Sequence, residues 1–143
     1  MAKKFVFDTN VIQGYGIAGV VTGFYVAATV LSELMTACND AKELKAYQQV
    51  WDAAEEDRIL LAPTVQDWKD ASRVLFMLAQ ERKQQAGGKA PKRLPVAKQE
   101  IAMDCLLAMC ASREGVRVVT NDKDFWAIQR YRKQLKLSPY PFK

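Results

Sequence analysis

The stretch KKFVFDTN, residues 3–10, reads as a short strand that stops on an acid. Phe5 and Phe7 alternate with Val6, so both faces of the strand are apolar, as in a parallel sheet covered on both sides. Asp8 then stands at the carboxyl end of the strand, where DTNV turns into a loop or a short helix. Gly14, Gly16, Gly19 and Gly23 make residues 13–23 flexible or tightly turned.

The same alternation of short strand and longer helix continues downstream. Residues 24–28 are a second extended piece, and Thr29 is placed to cap a helix containing VLSELMTAC, with Glu33 in its first turns. Leu44, Tyr47, Val50, Trp51 and Ala54 recur at spacings of three and four and predict a helix over residues 41–56. Residues 58–62 are a strand candidate. Pro63 and Thr64 open a third helical region with Trp68, Ala71, Leu75 and Leu78 as its expected buried stripe.

AGGKAPKRLP, residues 86–95, combines glycines and prolines with Lys89, Lys92 and Arg93 and reads as a loop. AKQEIAMDCLLAMCASREG predicts a helix closed by Gly115, and VRVVT a strand that delivers Asn121, Asp122 and Asp124. Residues 125–137 read as helix or irregular cover and residues 138–143 as a Pro-containing tail. The pattern predicts a single three-layer α/β/α domain over residues 1–143 with a mainly parallel central sheet. Ligands of such sheets gather beyond the carboxyl ends of the strands.

Composition narrows the partners. The 143 residues are half hydrophobic, enough for one core without a staple. Residues 1–60 hold 5 basic and 8 acidic side chains, net −3, whereas residues 61–143 hold 16 and 8, net +8. A basic second half suits a polyanion, an acidic protein or an anionic surface. Cys38, Cys105 and Cys110 have no metal-site spacing and no His beside them, so they read as free thiols in a reducing compartment. Residues 17–31 are too short and too interrupted to span a membrane, and the amino terminus shows no signal segment.

Asp8, Glu33, Asp104 and Asp122 each interrupt a segment otherwise suited to a core, where an isolated charge is costly. A shared cation resolves that cost, and an all-oxygen set suits Mg²⁺ or Mn²⁺ with nucleotide phosphate. Such an ion lowers the pKa of water and stabilises charge at phosphorus, by one ion or by two. With no His in the chain, a nucleophilic triad or histidine relay is a poor alternative.

Each acid also has an ordinary reading. Asp8 suits an Asx turn, Glu33 an exposed helix position, Asp104 a helix surface bordering the core, and Asp122 and Asp124 a helix cap. Glu100, four residues before Asp104, is an auxiliary acid on the same face.

FVFDTN, VLSEL, IAMDCLLA and VVTNDKDF, in that order, resemble the acidic motifs of the PIN-domain nucleases, especially the VapC-type ribonuclease toxins. The resemblance spans nearly the whole chain and implies a PIN-like domain. It implies catalytic and metal-binding roles for Asp8, Glu33, Asp104 and Asp122, with Asp124 binding through water and Asn10, Thr120 and Asn121 as auxiliary polar residues. It also implies Mg²⁺- or Mn²⁺-dependent hydrolysis of RNA leaving a 5′-phosphate and a 3′-hydroxyl, a cytoplasmic toxin of a type II toxin–antitoxin pair, a homodimer and a cognate antitoxin. The Gly-rich interval after Asp8 and the MDCLLAMCA helix depart from the family pattern without removing an acid.

Lys89, Lys92, Arg93 and Lys98 are the first candidates for a phosphate-contacting rim, and Arg130, Arg132, Lys133 and Lys136 the second. Tyr131, Tyr140 and Phe142 are candidates for stacking on bases, whereas Trp126, beside Phe125 and Ile128, is expected in the core. The rival reading is an inactive PIN-like protein that binds nucleic acid or assembles complexes. A haloacid-dehalogenase-like site lacks its second acid in DTNV, and a receiver domain does not place acids on helices this way.

Overall fold

Val6 and Phe7, neighbours that point to opposite faces of a strand, are both buried, at 0% and 3% exposure. They belong to β1 (Lys3–Phe7), the middle strand of the sheet. The computed structural model describes residues 3–12, 24–85, 87 and 95–140. After β1 come α1 (residues 9–12), β2 (Phe24–Ala27), α2 (Ala28–Thr36), α3 (Ala41–Glu56) and β3 (Leu60–Leu61). Then follow α4 (Val65–Gln85), α5 (Pro95–Glu114), β4 (Arg117–Val119), α6 (Lys123–Gln129) and β5 (Lys136–Ser138).

The five strands lie in the order β3-β2-β1-β4-β5, and every pair is parallel. Helices therefore have to bridge the strands and cover the sheet, which is the α/β/α arrangement expected from the sequence. The chain builds outward from β1 to β3, then returns through α4 and α5 to lay β4 on the other side of β1. The order reverses between β1 and β4, and a crevice opens at their carboxyl ends.

In α5 every residue from Cys105 to Ala111 is at most 2% exposed. A helix apolar all round is buried all round, and α4, α6, α2 and β4 pack against this one. Cys105 and Cys110 are free thiols in that core, and burial pushes both up to about 12, so they behave as small apolar side chains. Gly115 closes the helix at φ 67°, with Val116 N–H donating back to Ala111 at 2.8 Å. No helix among the described residues is long and apolar enough to cross a membrane.

Four local expectations change. Residues 136–138 form β5, an edge strand rather than irregular cover, so the tail begins later than residue 138. Pro95 is the first residue of α5, a position that needs no N–H. Ala27, not Thr29, holds the cap position of α2, and Thr29 sits buried in the first turn with a hydroxyl that finds no partner among the described residues.

The fourth change is on α4, where the buried stripe is Asp67, Ala71, Val74 and Leu78, and Trp68 is 56% exposed. Ala71 and Leu78 are buried as expected, and Asp67 takes the inward place at the start of the helix. Thr64 N–H donates to Asp67 Oδ2 at 2.9 Å while Asp67 N–H donates to Thr64 Oγ1 at 3.1 Å, a reciprocal capping box. Arg113 holds the same carboxylate from α5 at 3.0 Å.

Candidate active site

Asp8 leaves β1 at the crevice, 5% exposed, with its backbone N–H on Val119 O at 3.0 Å. Thr9 N–H donates to its Oδ1 at 2.8 Å, and the Thr120 hydroxyl donates to its Oδ2 at 2.9 Å. The Thr120 oxygen in turn accepts Asp122 N–H at 3.0 Å. Asp122 caps α6 by accepting Asp124 N–H at 2.9 Å. The ends of β1 and β4 are thus laced together with both acids held in place.

Glu33 approaches from the second turn of α2, and its Oε2 accepts the Thr9 hydroxyl at 2.9 Å. Asp104 approaches from α5, one residue before the fully buried run. Together Asp8, Glu33, Asp104 and Asp122 line a cavity of about 300 Å³, with Thr9 and Asn10 at its wall. Asp124 stands beside it, with one carboxylate oxygen within 4.8 Å of ligand atoms of Asp104 and Asp122.

The four acids crowd one another electrostatically. Burial pushes the Asp104 carboxyl up to about 9, and repulsion from Asp8, Asp122, Glu33 and Asp124 adds to it. Burial likewise raises Asp8; hydrogen bonds from Thr120 and Thr9 oppose the rise, and Asp122 reinforces it. A set of converging oxygen donors that repel one another is the environment a hard divalent cation satisfies. Asp8, Glu33, Asp104 and Asp122 are the residues that would hold it.

The sequence reading also named residues that the structure places elsewhere. Asn121, expected as an auxiliary group at the pocket, instead exchanges hydrogen bonds of 2.8 and 2.9 Å with the backbone of Tyr140. Among the cations of the second rim, Arg130 pairs with Glu81, and Arg132 reaches Ser112 at 2.9 Å and Asp70 at 3.5 Å. The Tyr131 hydroxyl donates to Glu81. Lys133 and Lys136 are exposed. Trp126, expected in the core, is 40% exposed, because Phe125 and Ile128 take the inward positions of α6.

Lys89, Lys92, Arg93 and Phe142 lie outside the described residues, as do residues 13–23, and so do the side chains of Lys98 and Glu100 on α5. Two participants escaped the sequence reading. Thr9 was visible only as a turn residue, yet it touches both Asp8 and Glu33. Arg82, inside the polar run ERKQQ, carried no signal at all, yet it lies 3.3 Å from Asp124.

No family model matches the sequence, and no curated protein matches it. Among solved structures, a chain of the DNA-bound VapBC complex from Salmonella typhimurium aligns over 97% of this chain and 98% of that one, at 18% identity and a TM-score of 0.51. A chain of VapBC2 from Rickettsia felis, bound to a DNA fragment from its promoter, aligns over 95% and 98% at 17% identity and a TM-score of 0.47. The likeness to the Salmonella chain is one of fold, and that fold is PIN-like.

Proposed function

We propose that this chain is a Mg²⁺- or Mn²⁺-dependent endoribonuclease that hydrolyses RNA phosphodiester bonds, and that it is the toxin of a type II toxin–antitoxin pair. One observation carries the reading: Asp8, Glu33, Asp104 and Asp122 come from four different elements to one cavity at the reversal of strand order, and the other three acids raise Asp104. The fold shared with a VapBC chain and the four acidic motifs supply the toxin part of the reading.

A divalent ion in this pocket supplies a lowered pKa for an attacking water and charge stabilisation at phosphorus. The chain's own groups set the stage. Thr9 N–H and the Thr120 hydroxyl fix both oxygens of Asp8, and Thr9 Oγ1 fixes the rotamer of Glu33. Burial and the neighbouring acids push Asp104 up to about 9, and a bound cation would favour its ionised form. Lys133 and Lys136, together with Lys89, Lys92, Arg93 and Lys98, are the proposed phosphate contacts, with Arg130 and Arg132 restrained by their own ion pairs.

A cytoplasmic homodimer silenced by a cognate antitoxin completes the proposal. Metal-stripped protein is incubated with structured and single-stranded RNAs, Mg²⁺ or Mn²⁺ is restored, and the ends are mapped. The ion is expected to restore cleavage, and Asp8→Asn is expected to reduce it roughly a hundredfold while the far-ultraviolet spectrum stays native. Equal cleavage by wild type and variant overturns the site. Toxicity on expression, relieved by a neighbouring gene product, checks the toxin assignment; an inactive assembly protein shows neither cleavage nor toxicity.

A further inference from the structure

The acids at the crevice form two overlapping sets. Asp8, Glu33, Asp104 and Asp122 share the cavity, and Asp8, Asp122, Glu33 and Asp124 all push Asp104 in the same direction. Asp104 and Asp122 also belong to a second set with Asp124, whose ligand atoms lie within 4.8 Å of one another. Asp124 does not line the cavity. It faces Arg82 of α4, whose Nη2 lies 3.3 Å from its Oδ1 with the arginine side chain only 24% exposed.

We propose that Arg82 is a positioning residue that sets how many ions the site holds: by pairing with Asp124 it leaves the cavity set open to one tightly bound ion and weakens the outer set for a second. This rests on the metal-dependent reading above. The physical basis is competition. A cation entering among Asp104, Asp122 and Asp124 shares Asp124 with a charged hydrogen-bond donor and meets an adjacent positive charge. Because Arg82 is partly buried, salt screens that repulsion less than it would on the surface.

The proposal decides something the four acidic motifs leave open, since an acid count alone serves one ion as well as two. It also separates the acids by task. Asp8 and Glu33 serve the inner ion alone, Asp104 and Asp122 border both positions, and Asp124 is held in reserve by Arg82.

The test is Mn²⁺ binding to the metal-stripped full chain, followed by titration calorimetry and by electron paramagnetic resonance for spin-coupled ion pairs. Wild type is expected to bind one ion tightly and a second at least roughly tenfold more weakly, because the guanidinium charge opposes it. Arg82→Gln is expected to tighten the second ion by roughly tenfold, to leave the first unchanged and to bring in the spin-coupled signal at lower Mn²⁺. Arg82→Lys, which keeps the charge, stays close to wild type, and adding Asp124→Asn to Arg82→Gln erases the gain.

Two equally tight ions in wild type, or a second ion unmoved by Arg82→Gln in a folded protein, overturns the proposal. If Arg82→Gln does not fold, Asp124→Asn alone decides: the proposal expects an unchanged first ion, and a loss as large as that from Asp8→Asn overturns it. Asp8→Asn also separates the two levels of argument. If it leaves the first ion untouched, the metal site itself is wrong; if it removes the first ion while Arg82→Gln is silent, only the role of Arg82 is wrong.

Discussion

Asp67, buried, and Asp104, half-buried, sit on adjacent packed helices, α4 and α5, yet their environments push them in opposite directions. Burial raises both. For Asp67, Arg113 and Thr64 outweigh burial and hold the carboxyl below the usual range; for Asp104, Asp8, Asp122, Glu33 and Asp124 add to burial and take it to about 9. A buried acid is therefore no sign of a site. The sign is a buried acid whose neighbours are other acids.

The sharpest way to break this comparison is to remove each charge in turn. Asp104→Asn is expected to cut RNA cleavage roughly a hundredfold, since a metal-facing oxygen is lost. The same change relieves repulsion in the metal-free chain, so its Tm is expected to rise by roughly 3 °C. Asp67→Asn is expected to do the reverse, costing roughly 2 kcal/mol by weakening the charged hydrogen bonds to Arg113, which keeps Glu114 and Ala62 O, and the α4 cap, with cleavage per folded molecule unchanged. Urea melts in chelator and cleavage assays with restored Mn²⁺ read both. A destabilising Asp104→Asn would show that Asp104 is a structural acid after all.

What was legible in the sequence divides along a related line. The positions of Asp8 and Asp122 beyond strand ends follow from local patterns, because apolar alternation and the residues that end it are neighbours in the chain. Strand β5 was not legible: Lys136, Leu137 and Ser138 have no strand signature of their own and become a strand by pairing with Arg117, Val118 and Val119. Arg82 acquires its partner 42 residues away, which no window on ERKQQ contains. On α4 the expected Ala71 and Leu78 are buried and Leu75 is half-buried, but counting apolar residues awarded Trp68 the place that Asp67 holds through Thr64 and Arg113. In each failure a polar or long-range contact decided the orientation, and hydrophobic periodicity does not encode it.

The two acids also predict how stability follows pH in metal-free protein. Asp104 is raised from 3.8 to about 9, so between those values the folded chain keeps a proton that the unfolded chain has released. Its contribution is whole below about pH 4 and is lost as the pH climbs toward 9. Asp67 is lowered, so its contribution is whole above its ordinary value and is lost as the pH falls through the folded one. The Tm in chelator is expected to peak in mild acid and to decline toward pH 9. Asp104→Asn flattens the alkaline decline and Asp67→Asn the acid one, and a wild-type profile flat from pH 5 to 9 would contradict the raised Asp104.

The smallest expected effect probes whether the acids need their threonines. Thr9→Val removes the hydroxyl that donates to Glu33 Oε2 and leaves the backbone N–H on Asp8 in place, because every residue at this position supplies that donor. The loss of one charge-assisted hydrogen bond at a part-buried site is worth roughly 1.5 kcal/mol, about a tenfold change in Mn²⁺ affinity if Glu33 is a ligand. Thr9→Ser keeps the donor and is expected to restore the affinity. Stability is expected to move little in either variant, since valine matches threonine in shape and β-branching and no buried cation is stranded. If Thr9→Val instead lowers the Tm as Asp67→Asn does, without changing Mn²⁺ affinity, the Thr9–Glu33 contact belongs with the structural acids and the ion is held by the three aspartates alone.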